Sequence, residues 1–158
     1  MATNDICERY IATKQELFNR YYSNLNPEQR DAVFTANGAL LVLAGAGSGK
    51  TTVLVQRIVF LVKYGNAYYS KYVPHDISIE KVERLEALAN GSREEIGAVL
   101  PEFASEPCQP WRMLAITFTN KAANEIKSRL VSAIGDEDAA KNIWAGTFHS
   151  ICILSIIL

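Results

Sequence analysis

Cysteine and histidine are scarce in this sequence, and its positive and negative charges nearly balance. Three cysteines and two histidines are spread over 158 residues, without the spacing typical of a zinc site or a disulfide framework. The net charge is −1, so no broad basic field indicates nucleic-acid binding, and any such contact has to be local. We therefore expect a cytoplasmic protein in a reducing compartment.

Long hydrophobic runs are missing as well. The closing stretch ICILSIIL is apolar but far shorter than the roughly 20 residues that a membrane span needs. Residues 1–20 carry Asp5, Glu8, Lys14 and Glu16, which excludes the apolar core of a signal peptide. We expect no membrane association, although an uncharged apolar end of this kind favours self-association.

The hydrophobic pattern alternates between helical and strand periods. Helices are predicted over 5–23, from Asn26 onwards and over 50–63, and buried strands at NGALLVLA, 113–117 and 142–148. An amphipathic helix from Asn120 lies between the last two strands and is predicted to end at Gly135. The stretch SREE, from Ser92 to Glu95, predicts a capping box at the start of another helix. This order predicts an α/β fold with a parallel sheet that helices cover on both faces.

The chain divides into four predicted segments: an N-terminal helix over 1–24, a first α/β half over 25–64, a helical insertion over 65–110 and a second α/β half over 111–158. The insertion is acidic, and no function is assigned to it. Four tyrosines in or next to it either stack on nucleic-acid bases or pack the inserted helices against the body, and packing is the preferred interpretation for Tyr64, Tyr68, Tyr69 and Tyr72.

The stretch AGAGSGKTT follows an apolar run and precedes a helix, which is the order that a P-loop requires. Its glycines allow backbone N–H groups to turn inward around a phosphate. Lys50 can reach the β- and γ-phosphates, and the Thr51 hydroxyl can coordinate Mg²⁺. The predicted nucleotide-binding residues are Ala44, Gly45, Ala46, Gly47, Ser48, Gly49, Lys50, Thr51 and Thr52.

The sequence disfavours two other interpretations of this loop. A flexible turn between two core elements is possible, but the strand-helix context disfavours it. A dinucleotide site is disfavoured because the glycines are spaced G-x-G-x-G and no acidic residue lies at the expected distance. Ala44 departs from the strict pattern, which has glycine at this turn.

Four stretches together resemble a known family. LNPEQRDAV, AGAGSGKTT, AITFTNKAANEI and GTFHS occur in the order of the opening motifs of UvrD/PcrA/Rep-type superfamily 1 DNA helicases. They cover most of residues 25–150 outside the insertion. The resemblance implies the N-terminal, RecA-like part of such an enzyme, with ATP and Mg²⁺ as cofactors, Lys50 and Thr51 as catalytic residues, and 3′ to 5′ translocation on DNA.

The resemblance also implies roles for residues outside the loop. Gln29 is expected to read the edge of adenine, and single-stranded DNA is expected to contact Thr117, Phe118, Asn120, Lys121, Thr147, Phe148 and His149. Purely structural roles are the alternatives. Gln29 then closes a capping box with Asn26, Asn120 is an N-cap and Phe118 a core residue.

Parts of the family pattern are missing. Thr52 stands where many relatives carry arginine, and no apolar run leads into an Asp-Glu pair. No second RecA-like domain is present, so we expect that the chain alone is inactive and that the C-terminal helicase domains are its partners. A P-loop kinase or NTPase acting on a metabolite, and a non-catalytic nucleotide-binding module, remain alternatives.

Overall fold

The computed structural model describes residues 2–157, with side chains described for residues 5–152. The apolar stretch 153–158, for which we expect self-association, therefore lies outside the described side chains. Within the described residues, no helix is long and apolar enough to cross a bilayer. In chain order the elements are α1 (Ala2–Tyr21), α2 (Pro27–Phe34), α3 (Lys50–Tyr64), α4 (Ile79–Leu88), α5 (Arg93–Val99), β1 (Leu114–Thr117), α6 (Asn120–Ile134), α7 (Glu137–Lys141), β2 (Trp144–Thr147) and α8 (Phe148–Ile157).

The residues group into two compact units. Unit 1 consists of Met1–Leu40 and Tyr64–Glu106, and unit 2 of Leu41–Lys63 and Pro107–Leu158. Each unit is described by itself below. Short 3-10 helices lie at Leu100–Phe103 in unit 1 and at Pro110–Arg112 in unit 2.

Caps that the sequence predicts begin and end several helices. Asn26 and Gln29 form a capping box at the start of α2, and Ser92 and Glu95 form another at the start of α5. Gly135 ends α6 in the left-handed conformation, with φ of 76°. The structure confirms these predicted boundaries. The sequence predicts them because each depends on residues close together in the chain.

An aromatic cluster forms the core of unit 1. The buried ring of Phe18 meets Phe34 and Tyr64 edge-on, at centroid distances of 6.2 and 5.3 Å. Tyr68 stacks on Phe34 at 4.3 Å, with 19° between the ring planes. Tyr68 therefore packs the insertion against α1 and α2, as predicted, and Tyr64, just before the insertion, packs against α1. Tyr72, by contrast, is 65% exposed.

The two ends of the inserted segment in unit 1 lie side by side. Asn66 donates its N–H to the Ser105 carbonyl at 2.7 Å, and Ser105 donates its own to the Tyr64 carbonyl at 3.0 Å. Gly65 lies at this point with φ of 61°, and a Cβ there would clash with the backbone oxygen of Ser105. Only glycine fits such a close backbone approach.

The inserted helix α4 packs against α1. Arg9 donates two hydrogen bonds to the Glu86 carboxylate, at 3.1 and 2.9 Å. This hydrogen bond and the positive charge of Arg9 lower the pKa of Glu86. Both side chains are partly exposed, so the pair adds orientation more than stability.

In unit 2, β1 and β2 pair in parallel with Leu114 opposite Trp144 and Thr117 opposite Thr147. Ala115 and Ala145 lie on one face, in a core with residues of α3 and α6. The opposite face of β1 is open, with Leu114 55% and Ile116 49% exposed. The prediction of a parallel pair is confirmed, but the prediction that β1 is buried on both faces is wrong.

The strand predicted before the glycine loop does not form. Residues 39–43 have no regular structure, and Leu41 and Leu43 are 81% and 86% exposed. A strand exists only through hydrogen bonds to a neighbour, and in the described part of the chain β1 and β2 pair only with each other. The apolar run therefore has no ladder to join, and a P-loop fold stays a prediction.

Lys14 of α1 is a buried charge in unit 1. Its side chain is 2% exposed, and its Nζ donates a hydrogen bond to the carbonyl oxygen of Ser70. Burial lowers the pKa of Lys14 from 10.5 to about 8, because removal from water disfavours the charged form. Folding at neutral pH therefore carries the cost of burying an ammonium group, which the hydrogen bond partly offsets.

We expect the stability of unit 1 to rise by about 1 kcal/mol between pH 7 and pH 9. Over this range the folded state releases the Lys14 proton while the unfolded chain retains it. Above pH 10 stability falls again, since burial raises the pKa of Tyr64 to about 12 and unfolded tyrosines ionise first.

Urea unfolding followed by near-ultraviolet circular dichroism measures this, because all seven tyrosines lie in unit 1. Lys14→Met should abolish the rise, and exchange of the exposed lysine in Lys71→Met should preserve it. A flat curve for the unmodified protein contradicts the prediction, as does a rise that survives in Lys14→Met.

Candidate functional site

The glycine loop of unit 2 adopts conformations that glycine alone takes easily. Gly47 and Gly49 have φ of 76° and 80°, in the left-handed region. The loop leads directly into α3, and Val53 donates its N–H to the Gly49 carbonyl at 3.0 Å in the first turn of that helix. The predicted order of glycine loop and helix is thus present, without the preceding strand.

Lys50 lies on the carbonyl oxygens of its own loop. Its Nζ donates to Gly45 at 2.5 Å and to Ala44 at 3.1 Å. The Ser48 hydroxyl donates to the same Gly45 oxygen at 2.7 Å. The predicted phosphate ligand and the loop backbone are therefore in direct contact, and the Lys50 side chain is exposed.

The first turn of α3 is suited to an anion. It carries no acidic residue, so no carboxylate of this turn compensates the partial positive charge of the helix end. Thr51 and Thr52 lie in this turn and are partly exposed. The ammonium group of Lys50, the backbone N–H groups of the loop and the hydroxyls of Thr51 and Thr52 lie within a few residues of one another. These are groups of the kind that can bind a triphosphate and its Mg²⁺.

Gln29 lies in unit 1, on α2. Its side-chain Oε1 accepts a hydrogen bond from the backbone N–H of Asn26 at 3.1 Å. The side-chain Oδ1 of Asn26 accepts one from the backbone N–H of Gln29 at 2.8 Å. The structural role that the sequence predicts for Gln29 is thus confirmed. Its role in reading adenine stays a prediction.

The predicted DNA residues of unit 2 lie at the ends of two adjacent strands. Thr117 and Thr147 are register partners, so the residues that follow them leave the sheet side by side. Phe118 is 104% exposed and Phe148 is 61% exposed. Asn120, Lys121 and His149 are exposed as well. The pairing of the strands brings both predicted motifs to one edge of the sheet.

Two structural alternatives for these residues are wrong. Phe118 is not a core residue, because it follows the end of β1 and is fully exposed. Asn120 is not an N-cap. Thr119 caps α6 instead, with its side chain accepting from the Ala122 amide at 3.2 Å. Asn120 and Lys121 therefore lie in the first turn of α6, and the side chain of neither one caps the helix.

A family model described as the UvrD/REP helicase N-terminal domain matches residues 25–73 and 96–157. The chain belongs to this family. The glycine loop, α2 and both strand ends lie within the matched ranges. The unmatched residues 74–95 fall inside the predicted insertion and contain α4.

Relatives in this family include ATP-dependent DNA helicases named PcrA. The chain is 38% identical over 135 residues to PcrA of Bacillus subtilis (strain 168), covering 85% of this chain and 12% of that protein. It is 36% identical over 131 residues to PcrA of Leuconostoc citreum, covering 83% of this chain and 12% of that protein. It is 36% identical over 135 residues to PcrA of Staphylococcus aureus (strain COL), covering 85% of this chain and 13% of that protein. The chain therefore spans a small part of the length of these relatives.

Two features near the strand ends of this UvrD/REP-family chain escaped sequence reasoning. Ser150 donates its hydroxyl to the Thr147 carbonyl at 2.8 Å and so ties α8 to the end of β2. A cavity of about 450 Å³ lies along β2, with Lys127, Trp144 and Ser150 among its lining residues. The serine three residues after Thr147 is a local signal that could have indicated the first contact, whereas the cavity depends on packing between distant segments.

We expect Thr119→Ala to destabilise unit 2 by about 1 kcal/mol, because it removes the cap of the helix that carries Asn120 and Lys121. Unfolding in urea followed by tryptophan fluorescence reports this unit, since both tryptophans belong to it. Ser128→Ala is a matched control, as its hydroxyl bonds only within α6, to the Asn124 carbonyl. Equal stability of Thr119→Ala and the unmodified protein contradicts the prediction.

Proposed function

We propose that this chain is the N-terminal ATP-binding portion of a 3′ to 5′ DNA helicase. The full-length enzyme couples ATP hydrolysis to translocation on single-stranded DNA and to duplex unwinding. The observation that carries the proposal is the combination, within unit 2, of a glycine loop that opens α3 and two exposed strand ends. The family membership of the chain supports it.

The nucleotide part of the proposal assigns the phosphates to the loop. The positive φ of Gly47 and Gly49, the ammonium group of Lys50 and the acid-free start of α3 all suit a triphosphate. Bound Mg²⁺ neutralises phosphate charge, and the hydroxyl of Thr51 is its proposed protein ligand. Lys50 holds the β- and γ-phosphates, and the loop amides orient them.

The DNA part of the proposal assigns single-stranded DNA to the strand ends. Exposed aromatic rings such as Phe118 and Phe148 offer stacking surfaces for bases of any sequence. Two helices, α6 and α8, begin beside these rings, and their N-terminal amides favour phosphate oxygens. Lys121 adds a positive charge in the first turn of α6.

Catalysis and unwinding need more than these residues. The Asp-Glu pair of the 158-residue sequence, Asp136–Glu137, lies at the start of α7 after a helix, whereas the pair that holds Mg²⁺ and polarises the attacking water in this family follows a strand. We therefore expect the isolated chain to bind Mg-nucleotide, to contact DNA weakly, and to hydrolyse ATP slowly. The C-terminal helicase domains are the proposed partners that supply the missing groups.

Lys50→Ala tests the nucleotide site. Loss of the ammonium group should weaken binding of Mg-ADP by about tenfold to a hundredfold, as expected for a charged hydrogen bond. Isothermal titration calorimetry measures the affinity, and Lys127→Ala is the control because it removes an exposed lysine of the same unit. Unchanged affinity in Lys50→Ala would falsify the loop assignment.

Phe118→Ala tests the DNA site. Removal of one stacking ring should weaken binding of a fluorescent oligothymidylate by about tenfold at low salt. The ring is fully exposed, so folding should be unaffected. Trp111→Ala serves as control, because this ring is 61% exposed and precedes β1 rather than following it. Fluorescence anisotropy measures the affinity of both variants. If Phe118→Ala and Trp111→Ala lose equal affinity for the oligothymidylate, the strand ends are ruled out as the DNA site.

A further inference from the structure

The basic residues of this nearly neutral chain are concentrated relative to its acidic ones. Unit 2 holds eight of the 16 Lys and Arg residues but four of the 17 Asp and Glu residues, so it is basic and unit 1 is acidic. Unit 2 also contains the strand ends that we propose as the DNA site. Positive charge beyond that of Lys121 is therefore available in this unit to attract phosphate groups.

One face of α6 leads from the strand ends to the cavity along β2. Asn120, Asn124, Lys127 and Val131 follow the spacing i, i+4, i+7 and i+11, which places them on the same side of the helix, and all four are exposed. Asn120 belongs to the proposed DNA site, whereas Lys127 and Val131 line the cavity. About 10 Å of helix separates Asn120 from Lys127, at 1.5 Å per residue.

The cavity along β2 combines an aromatic ring, an apolar wall and positive charge. Its volume of about 450 Å³ is in the range typical of small-molecule pockets, roughly 300 to 1,000 Å³. The ring is that of Trp144, which is 37% exposed, and Ile143 and Ile151 contribute to the wall. The described residues that line the cavity include two lysines, Lys127 and Lys141, and no acidic side chain. Such a lining suits the face of a base and a phosphate beside it.

The two lysines differ in how far their charge is already compensated. Among the described side chains, Lys127 takes part in no ion pair, since its acidic neighbour Glu125 pairs with Arg129 at 2.7 Å. Lys141 pairs with Glu137 at 2.8 Å, but both side chains are largely exposed and such a pair is weak. An ammonium group has three N–H donors, so Lys141 can hold this carboxylate and a phosphate oxygen together.

We propose that the cavity along β2 is a second binding site for single-stranded DNA, which stacks one base on Trp144 and holds the adjoining phosphate with Lys127 and Lys141. The proposal rests on the proposed function, because the strand that contacts the strand ends continues along α6 into the cavity. It adds three residues that none of the motifs of the sequence includes.

Lys127→Ala tests the phosphate contact in the 158-residue chain without disturbing a buried group. Its affinity for an oligothymidylate of about twelve nucleotides should fall about tenfold at low salt, and its salt dependence should flatten by about 0.7 in the logarithmic slope, as for one phosphate of a single strand. An oligothymidylate of about four nucleotides, which is short for such sites, should bind Lys127→Ala and the unmodified protein equally. Arg129→Ala is the matched control, because it removes one exposed positive charge from the opposite side of the same helix.

Trp144 itself reports the stacked base. The sequence has two tryptophans, so Trp111→Phe leaves Trp144 as the one emitter. Its fluorescence should be quenched about twofold when the longer oligothymidylate saturates the protein, since a base then covers the ring. Adding Lys127→Ala to Trp111→Phe should shift this quenching to about tenfold higher DNA concentration.

Three results overturn the second site: equal losses in Lys127→Ala and Arg129→Ala, emission of Trp144 that DNA leaves unchanged, or emission that changes with protein concentration alone. The last result assigns the cavity to a second copy of the chain. In each case the strand ends remain the DNA site if Phe118→Ala still loses affinity. If the unmodified protein binds neither oligothymidylate, the proposed function and the second site both fail.

Discussion

Parallel pairing between β1 and β2 is the interaction on which the candidate DNA site depends. Parallel strands run in the same direction, so both carboxyl ends lie at one edge of the sheet, and a helix must cross over between them. Here that crossover contains α6, which packs on the buried face of the pair. With Thr117 opposite Thr147, the ladder brings together two exposed phenylalanines and the starts of α6 and α8.

Unit 1 shows how a family chain accommodates extra structure. The family model begins at residue 25 and skips 74–95, and the elements outside it, α1 and α4, pack against each other. The link from α1 to the matched part is aromatic, through Phe18 of α1 against Phe34 of α2 and Tyr68. A helix as short as α2 is marginal alone, so its position depends on this packing as much as on its capping box.

The helices of this chain were largely predictable, whereas the sheet was only partly so. Helix boundaries follow from signals such as Asn26, Ser92 and Gly135, which act on neighbouring residues. The two paired strands were also predicted. The strand at 39–43 was predicted wrongly, because an apolar run specifies that burial is favourable but not that a neighbouring strand is available. The exposure of Phe118 could not be inferred from its apolar side chain alone.

What the sequence by itself determined is local: the helix caps, the glycines that permit positive φ before Lys50, and the motifs that identify the family. The tertiary structure decided which residues meet. It placed Thr117 beside Thr147, packed Tyr68 on Phe34, and turned Lys50 and Ser48 onto the Gly45 carbonyl. The physical reason is range. A cap or a turn depends on hydrogen bonds between neighbours in the chain. Strand register, aromatic packing and the rotamer of a lysine depend instead on which groups the folded state brings within hydrogen-bonding or van der Waals distance.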